Sequence, residues 1–300
     1  MMQTFKEKFR RMLTEPHGIR KAFVHIFARF YDDRTFLERM YFFKMGKKLN
    51  LDSPQTFNEK MQWLKLHDRK PEYTAMVDKF AAKEYVAGVI GQEHIIPTIG
   101  VWDRPEDIDW ESLPQQFVLK VTHDSGGLVV CTDKSSLDKE AAVRQLRSAL
   151  KTDYYIGSRE WPYKDVPKRI IAEQYIGDNL TDYKVMCFGY SRKVILVCRD
   201  RFSSSGLTED FFDEQWNHLD VKRPDHPNAA KAIERPSELE EMLALADKLS
   251  VGIPFIRVDF YTANGKVYFG ELTLYPASGM TPFVPDSIDK EWGGWITLPE

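Results

Sequence analysis

The sequence predicts an α+β protein, and three observations carry that prediction. Apolar residues at spacings of three and four fill the chain as far as about Ala87, which is the period of helices. From Ile95 onward the pattern changes to short β-branched runs separated by turn residues. Near the C-terminus, 255–261 and 266–274 read as two strands joined by Ala263-Asn264-Gly265, turn chemistry for a tight hairpin.

Length and composition set the bounds. Three hundred residues allow one large or two modest domains with a substantial core. No apolar run reaches the eighteen or so residues that a bilayer crossing needs, and no signal-peptide core is present. Cys131, Cys187 and Cys198 are odd in number and lie in apolar runs without metal-ligand spacing. They are expected to be reduced core thiols of a cytoplasmic protein. The formal net charge of −3 hides a basic first fifty residues, including Arg10, Arg11, Arg20, Lys21, Lys47 and Lys48.

Residues 1–50 read as helices in which basic residues alternate with Phe5, Phe9, Phe23, Phe27 and Phe30. Packing on the main domain with solvated lysines and arginines is the favoured reading, since acids interrupt the basic face. Peripheral contact with a membrane-bound partner is the alternative. Thr56 followed by Glu59 is a capping-box signature for a helix carrying Met61, Trp63, Leu64 and Leu66. A further helix is expected from about Tyr73 to Ala87, stopped by Gly88 and carrying Asp78, Lys79 and Lys83.

Strands are expected at 95–102, 117–121 and 128–131. The last two flank Thr122-His123-Asp124-Ser125-Gly126-Gly127, a small-residue loop able to fold over phosphates. Lys120 lies in an apolar strand and calls for an anionic partner. His123 is expected to be exposed rather than catalytic. Residues 137–150 read as a helix and 154–163 as an irregular aromatic loop. Residues 169–177 read as a strand whose end, Glu173-Gln174-Tyr175-Ile176, offers backbone groups to an adenine edge. Residues 182–189 and 193–198 read as a hairpin followed by Arg199 and Arg201. The loop-rich 203–236 stretch is the expected lining of a substrate cleft, and 238–249 reads as an amphipathic helix.

Alternation in the closing hairpin puts Arg257 with Asp259 on one face, and Glu271 with Thr273 on one face. If the strands pair through the turn, Asp259 and Glu271 meet across the ladder. Two facing carboxylates repel unless a cation lies between them, and a hard divalent ion with phosphate ligands is the natural one. A solvated hairpin face with acids opposite by chance is the alternative.

Taken together, TFNEKMQWLKL, VDKFAAKEYV, FVLKVTHDSGG, IIAEQYI, DYKVMCF, IRVDFY and FGELTLYPASG resemble the ATP-grasp superfamily. Within it they resemble the TupA-like branch, named after teichuronopeptide biosynthesis. The resemblance covers nearly the whole chain and implies an ATP-grasp fold, two α+β lobes clasping ATP, with a helical N-terminal region. It places that helical region at 1–72, the ATP-grasp domain at 73–300 and the lobe hinge near 173–177. It implies ATP and Mg2+ as cofactors. Lys79 and Lys120 match the nucleotide lysines, and Ser125, Gly126 and Gly127 the phosphate flap. Glu173, Gln174, Tyr175 and Ile176 match the adenine hinge, and Asp182 a ribose or supporting acid. Arg199 and Arg201 lie where a basic residue reaches the terminal phosphates. Asp259 and Glu271 match the metal carboxylates, and Arg257 the oxyanion-stabilising arginine. Thr273 stands where many relatives have asparagine, which puts the number of metal ions in doubt.

The activity implied is an ATP-dependent carboxylate–amine ligase, joining an amino acid to a cell-surface polysaccharide or its sugar precursor. The implied partners are a carboxylate and an amine, with no nucleic acid. A kinase or glycosyltransferase of polysaccharide biosynthesis is the alternative. A kinase would need a general base, for which Asp200 and His123 are weak candidates.

Overall fold

The computed structural model describes residues 24–124, 126–178, 180–189, 192–200 and 206–300. Ser125 and Arg201, both expected at the site, and residues 1–23 of the basic N-terminal segment lie outside those residues.

After helical residues 24–26 and a 3-10 turn at Ala28–Phe30 come α1 (Asp33–Met45), α2 (Phe57–His67), α3 (Glu72–Val77) and α4 (Ala81–Ile90). The capping box at Thr56 forms as the sequence indicates, with the threonine hydroxyl accepting from Glu59 N–H and the Glu59 side chain reaching back. The single helix expected over 73–87 is two. Asp78 ends α3 in extended geometry, and its carboxylate accepts from Phe80 N–H. This Asx-type bond competes with the helix ladder, so Lys79 lies in the joint. The second helix runs on past Gly88, which meets no obstruction there, and stops at Gly91 with φ +104°.

Two antiparallel sheets follow. β1 (Thr98–Trp102), β2 (Phe117–Val121), β3 (Leu128–Cys131) and β4 (Ile170–Gln174) form the first, in the order β1-β4-β2-β3. Between β3 and β4 come α5 (Lys139–Leu150), which packs on β2, and the short α6 (Tyr154–Ser158). β5 (Asp182–Phe188), β6 (Arg192–Arg199), β7 (Thr208–Phe212), β8 (Ile256–Ala263) and β9 (Lys266–Thr273) form the second sheet, in the order β7-β6-β5-β8-β9. Residues 175–181 link the sheets, with Gly177 at φ +149°.

α7 (Leu239–Leu249) buries Leu239, Met242, Leu245 and Ala246 and packs against β5 and β8. It lies on the face that carries Lys193, which pairs with Asp247 of the helix at 2.7 Å. The other face carries Lys184, Leu196, Phe211 and Asp259, which the strand register sets side by side. α2 and the closing α8 (Ser287–Gly294) pack together, and their Phe57 and Trp292 join an aromatic cluster with Phe188, Phe211, Phe255 and Phe283. All six rings are buried. At about 25 cal/mol per Å2 such large side chains supply much of the burial energy of this half. All three cysteines are free and buried. Among the described residues no helix is long and apolar enough to cross a membrane.

Candidate functional site

Asn264 and Gly265, at φ 53° and 70°, make the left-handed turn that sets the β8–β9 register. In that register Asp259 faces Glu271 directly and Arg257 faces Thr273, with the ladder shifting just beyond Asp259. Arg257 ties the four together. Its Nε donates to Asp259 Oδ1 at 2.6 Å, and its Nη2 donates to Asp259 Oδ2, Glu271 Oε1 and Thr273 Oγ1 at 2.7, 2.7 and 3.0 Å. From β5, Lys184 pairs with Asp259 and, at 2.7 Å, with Asp182. The sequence reading passed over Lys184 because it looks like one more residue of an apolar strand.

Burial alone would push every charge here toward neutrality. For Lys184 that pressure is outweighed by Asp259 and Asp182, and its ammonium is held above its ordinary value. Burial raises Asp259 to about 6 against the pull of Arg257 and Lys184. Burial also works against Glu271, yet Arg257, Lys184 and Lys79 hold it down at about 2. Asp259 is sealed at 1% exposure, whereas Glu271 keeps 38% of its side chain exposed. Glu271 is therefore the carboxylate that an incoming ligand can reach.

The first sheet offers the opposite charge. Glu173 lies buried between two lysines, meeting Lys83 at 2.7 Å and also pairing with Lys120. Burial works against its charge, but the lysines outweigh it and hold the carboxyl below its ordinary value. Its side chain thus anchors lysines, which leaves backbone as the part of Glu173 available to a base. Gln174 is exposed, and Tyr175 donates to Asp178. Lys79 donates to the Asp124 carbonyl at 2.6 Å; burial first, then Lys120, lower its pKa, while Glu271 raises it. A small cavity lined by Lys79, Lys83, Tyr163 and Glu271 joins the two charged clusters.

Other expected residues are placed differently. Arg199 pairs with Thr208 at the end of β6, so alternation puts it on the face opposite Lys184. His123 is buried, not exposed; its Nε2 meets the Thr152 carbonyl at 3.2 Å, and burial lowers its pKa. Gly126 is exposed, but Gly127 is packed so tightly that a Cβ there would lie 2.7 Å from both Ala149 Cβ and Val121 Cγ2. Steric fit in the loop base requires that glycine.

The 154–163 stretch, expected as an irregular loop, is instead the short α6 followed by a 3-10 turn at Trp161–Tyr163, and it borders the site. Tyr154 and Tyr163 pack as a tilted pair with centroids 4.5 Å apart, and burial raises both phenols. Beneath them Lys65 of α2 donates to the Ser158 and Ser278 carbonyls and to Ser278 Oγ, at 2.8–3.0 Å. Ser278 belongs to a left-handed run, Ala277 to Gly279, immediately after the metal-candidate strand. A lysine on an otherwise ordinary helix gave no signal of this.

Among the described residues no group of three or more His, Cys, Asp or Glu is arranged to hold a metal ion. Asp259, Glu271 and Thr273 nonetheless offer only hard oxygen donors, and their cluster has three carboxylates to two cations. That donor set fits magnesium.

A family model described as TupA-like ATPgrasp matches residues 59–297. No curated protein matches. Among solved structures, similar folds include the D-alanine–D-alanine ligase of Bacillus anthracis complexed with ATP, at 18% identity and TM-score 0.39, covering 67% of this chain and 55% of that one. An L-amino acid ligase from Bacillus licheniformis is similar at 16% identity and TM-score 0.44, covering 78% of this chain and 51% of that one. Phosphoribosylamine–glycine ligase from Thermotoga maritima is similar at 15% and 0.38, over 69% and 51%. The chain thus spans about half the length of these structures.

Proposed function

The chain belongs to the TupA-like ATP-grasp family, and on that premise we propose that it is an ATP- and magnesium-dependent carboxylate–amine ligase. The observation that supports this best is the facing of a lysine-rich cluster on one sheet by a carboxylate-rich cluster on the other. The first suits the phosphates of ATP, the second a divalent cation.

In this reading Lys79 and Lys120 hold phosphate oxygens, with Ser125 and Gly126 closing over them and Gly127 packing the base of the loop. Backbone of 173–176 receives adenine, and Asp182 fixes Lys184 at the ribose side. Arg201 is the basic residue proposed for the terminal phosphates, since Arg199 lies on the opposite face of the sheet. Asp259 and Glu271, with Thr273, hold magnesium, which when bound supplies charge neutralisation of the phosphate oxygens. A substrate carboxylate attacks the terminal phosphorus and ADP leaves. An amine then attacks the acyl carbon, the bond to phosphate breaks, and amide and phosphate are released. Arg257 is the donor for the acyl oxygen, where negative charge grows. It shares its present oxygens with the proposed metal, so the guanidinium is the group that must turn.

The substrates proposed are an amino acid and a cell-surface polysaccharide or its sugar precursor, on the cytoplasmic side of the membrane. Ile26 and Phe30, 73% and 82% exposed beside Arg29 and Arg34, are the surface offered to membrane-bound machinery. The ligase reading is tested with ATP, magnesium, hydroxylamine and a panel of uronic acids and amino acids. A hydroxamate and ADP are expected. Arg257→Ala should still form hydroxamate while amide synthesis falls about a hundred- to thousandfold. Phosphorylation of a hydroxyl with no hydroxamate would overturn the ligase reading.

A further inference from the structure

At the edge of the second sheet, away from the hairpin, lies a second buried charge pair that the ligase chemistry above leaves unused. Glu209 on β7 pairs with Cys198, which pairs with Asp182, so all three share the face that carries Lys184 and Asp259. Over Glu209 reaches Arg223, from a segment whose Lys222 bridges Val284 through two backbone bonds of 2.9 Å. That partner segment continues from the loop after β9. Arg223 therefore stands between the sheet edge and the loop that follows the metal-candidate strand.

Both side chains are more than nine-tenths buried, at 9% and 7% exposure. Yet they do not close on each other. Arg223 Nη1 stays 3.7 Å from Glu209 Oε2, beyond the 2.7–2.9 Å of a charge-assisted hydrogen bond. Glu209 Oε2 and Arg223 Nε are each buried with no hydrogen-bond partner. Leaving one buried charged group unsatisfied is expensive, and here two lie side by side. A pair serving only the fold would gain by closing the gap. The guanidinium is fixed instead by Phe211 and Phe283, whose ring centres lie 5.8 and 5.9 Å from it. The pair lies on the same sheet face as Lys184 and Asp259.

An unpartnered guanidinium Nε near an unpartnered carboxylate oxygen is complementary to a ligand carrying a carboxylate and an ammonium on neighbouring atoms. We propose that Arg223 and Glu209 bind the α-carboxylate and α-ammonium of a free amino acid, which enters the reaction as the amine donor. This rests on the ligase reading and adds its direction: the amino acid's own carboxylate is masked by Arg223, so the other substrate is the acid that is activated. Glu209 lies three strand spacings and two residues along from Asp259, about 16 Å at ~4.8 Å per strand and ~3.4 Å per residue, the span of a nucleotide phosphate and a small acyl group.

The test uses the full chain with magnesium and a non-hydrolysable ATP analogue, so binding is read without any chemistry. Free α-amino acids at about 10 mM are screened by thermal unfolding, and at least one should raise Tm by roughly 2–4 °C beyond the nucleotide alone. Its methyl ester and its N-acetyl derivative should give no shift. Arg223→Met and Glu209→Gln should lose the amino-acid shift while keeping the nucleotide shift, which also certifies their folding. If Arg223→Met does not fold, Arg223→Lys, which keeps charge and loses Nε, should bind the amino acid at least tenfold more weakly. With hydrolysable ATP and hydroxylamine, the amino acid that binds should yield no hydroxamate of its own. The proposal is overturned if no amino acid shifts the wild type, if the ester binds as well as the free acid, or if the variants retain the shift. An amino-acid hydroxamate would also overturn it, by showing that carboxylate activated. Absence of hydroxamate from every carboxylate would instead count against the ligase reading, leaving the binding result to stand or fall separately.

Discussion

The two ionic clusters that face each other across the cleft have opposite imbalances. At the first sheet Lys120 of β2 and Lys83 of α4 share one carboxylate, Glu173 of β4. On the second, Arg257 and Lys184 are set against Asp259, Glu271 and Asp182. Neither is a simple buried salt bridge, which would tend toward neutrality. Each is short of one charge, and the missing charges have opposite sign. The first therefore favours an anion and the second a cation, which is what a metal–triphosphate ligand supplies together. Exposure reinforces the contrast. Asp259 is sealed and acts as scaffold for two cations, while Glu271 is open to the cleft.

The largest effect should come from breaking the second cluster at its sealed member. Asp259→Ala removes the carboxylate that both Arg257 and Lys184 bond directly and leaves their buried donors unsatisfied, so a loss of about 3–5 kcal/mol in unfolding free energy is expected in urea titrations, together with loss of ADP formation. Glu271→Gln should lose ADP formation with under about 1 kcal/mol of destabilisation, because its side chain is partly in water. Equal destabilisation by both would erase the distinction between scaffold and open ligand.

Breaking the first cluster should act on nucleotide affinity. Lys120→Met is expected to weaken ATP about a hundredfold and adenosine hardly at all, measured by calorimetry. Equal weakening of both would place Lys120 in the fold alone. The same cluster has a pH signature. Glu173 is held below its ordinary 4.5, so its stabilisation is complete above that value and lost as pH falls through the lowered one. Glu173→Gln should remove that part of the acid sensitivity.

Much of this was legible in the sequence where local chemistry decides the outcome. The Asn264-Gly265 turn fixes a register, and the register alone brings Asp259 opposite Glu271. Thr56 and Glu59 cap a helix by themselves. Long-range pairing was not legible. Lys184 and Lys83 acquire their roles from carboxylates on other strands. β7 was missed because Thr208-Glu209-Asp210 reads as a polar loop; its Asp210 is tolerated in a buried edge strand only because Asn228, Ala229 and His218 supply partners. The break at Asp78 was hidden for a similar reason, since one side-chain bond outweighs the helical periodicity around it.

The smallest effect sharpens the comparison at the loop that joins β2 to β3, beside the lysine-rich cluster. Both of its described glycines were read as flap residues that admit phosphate oxygens, but their surroundings differ. At Gly126 the nearest atom to an added Cβ is the flexible Asp124 carboxylate, at 3.3 Å. At Gly127 the added methyl would overlap Ala149 Cβ and Val121 Cγ2, both held in the packed layer between α5 and the sheet. Overpacking of that kind costs about 1–2 kcal/mol, and neither residue has a left-handed φ to add strain. Gly127→Ala should therefore lower stability by that amount and leave the ATP affinity of the folded fraction within about threefold. Gly126→Ala should do the reverse, with stability within about 0.5 kcal/mol of wild type and slower turnover from a stiffer flap. If Gly127→Ala instead left stability untouched and weakened ATP, the second glycine would belong to the phosphate site, and the lysine-rich face would extend one residue further than the packing indicates.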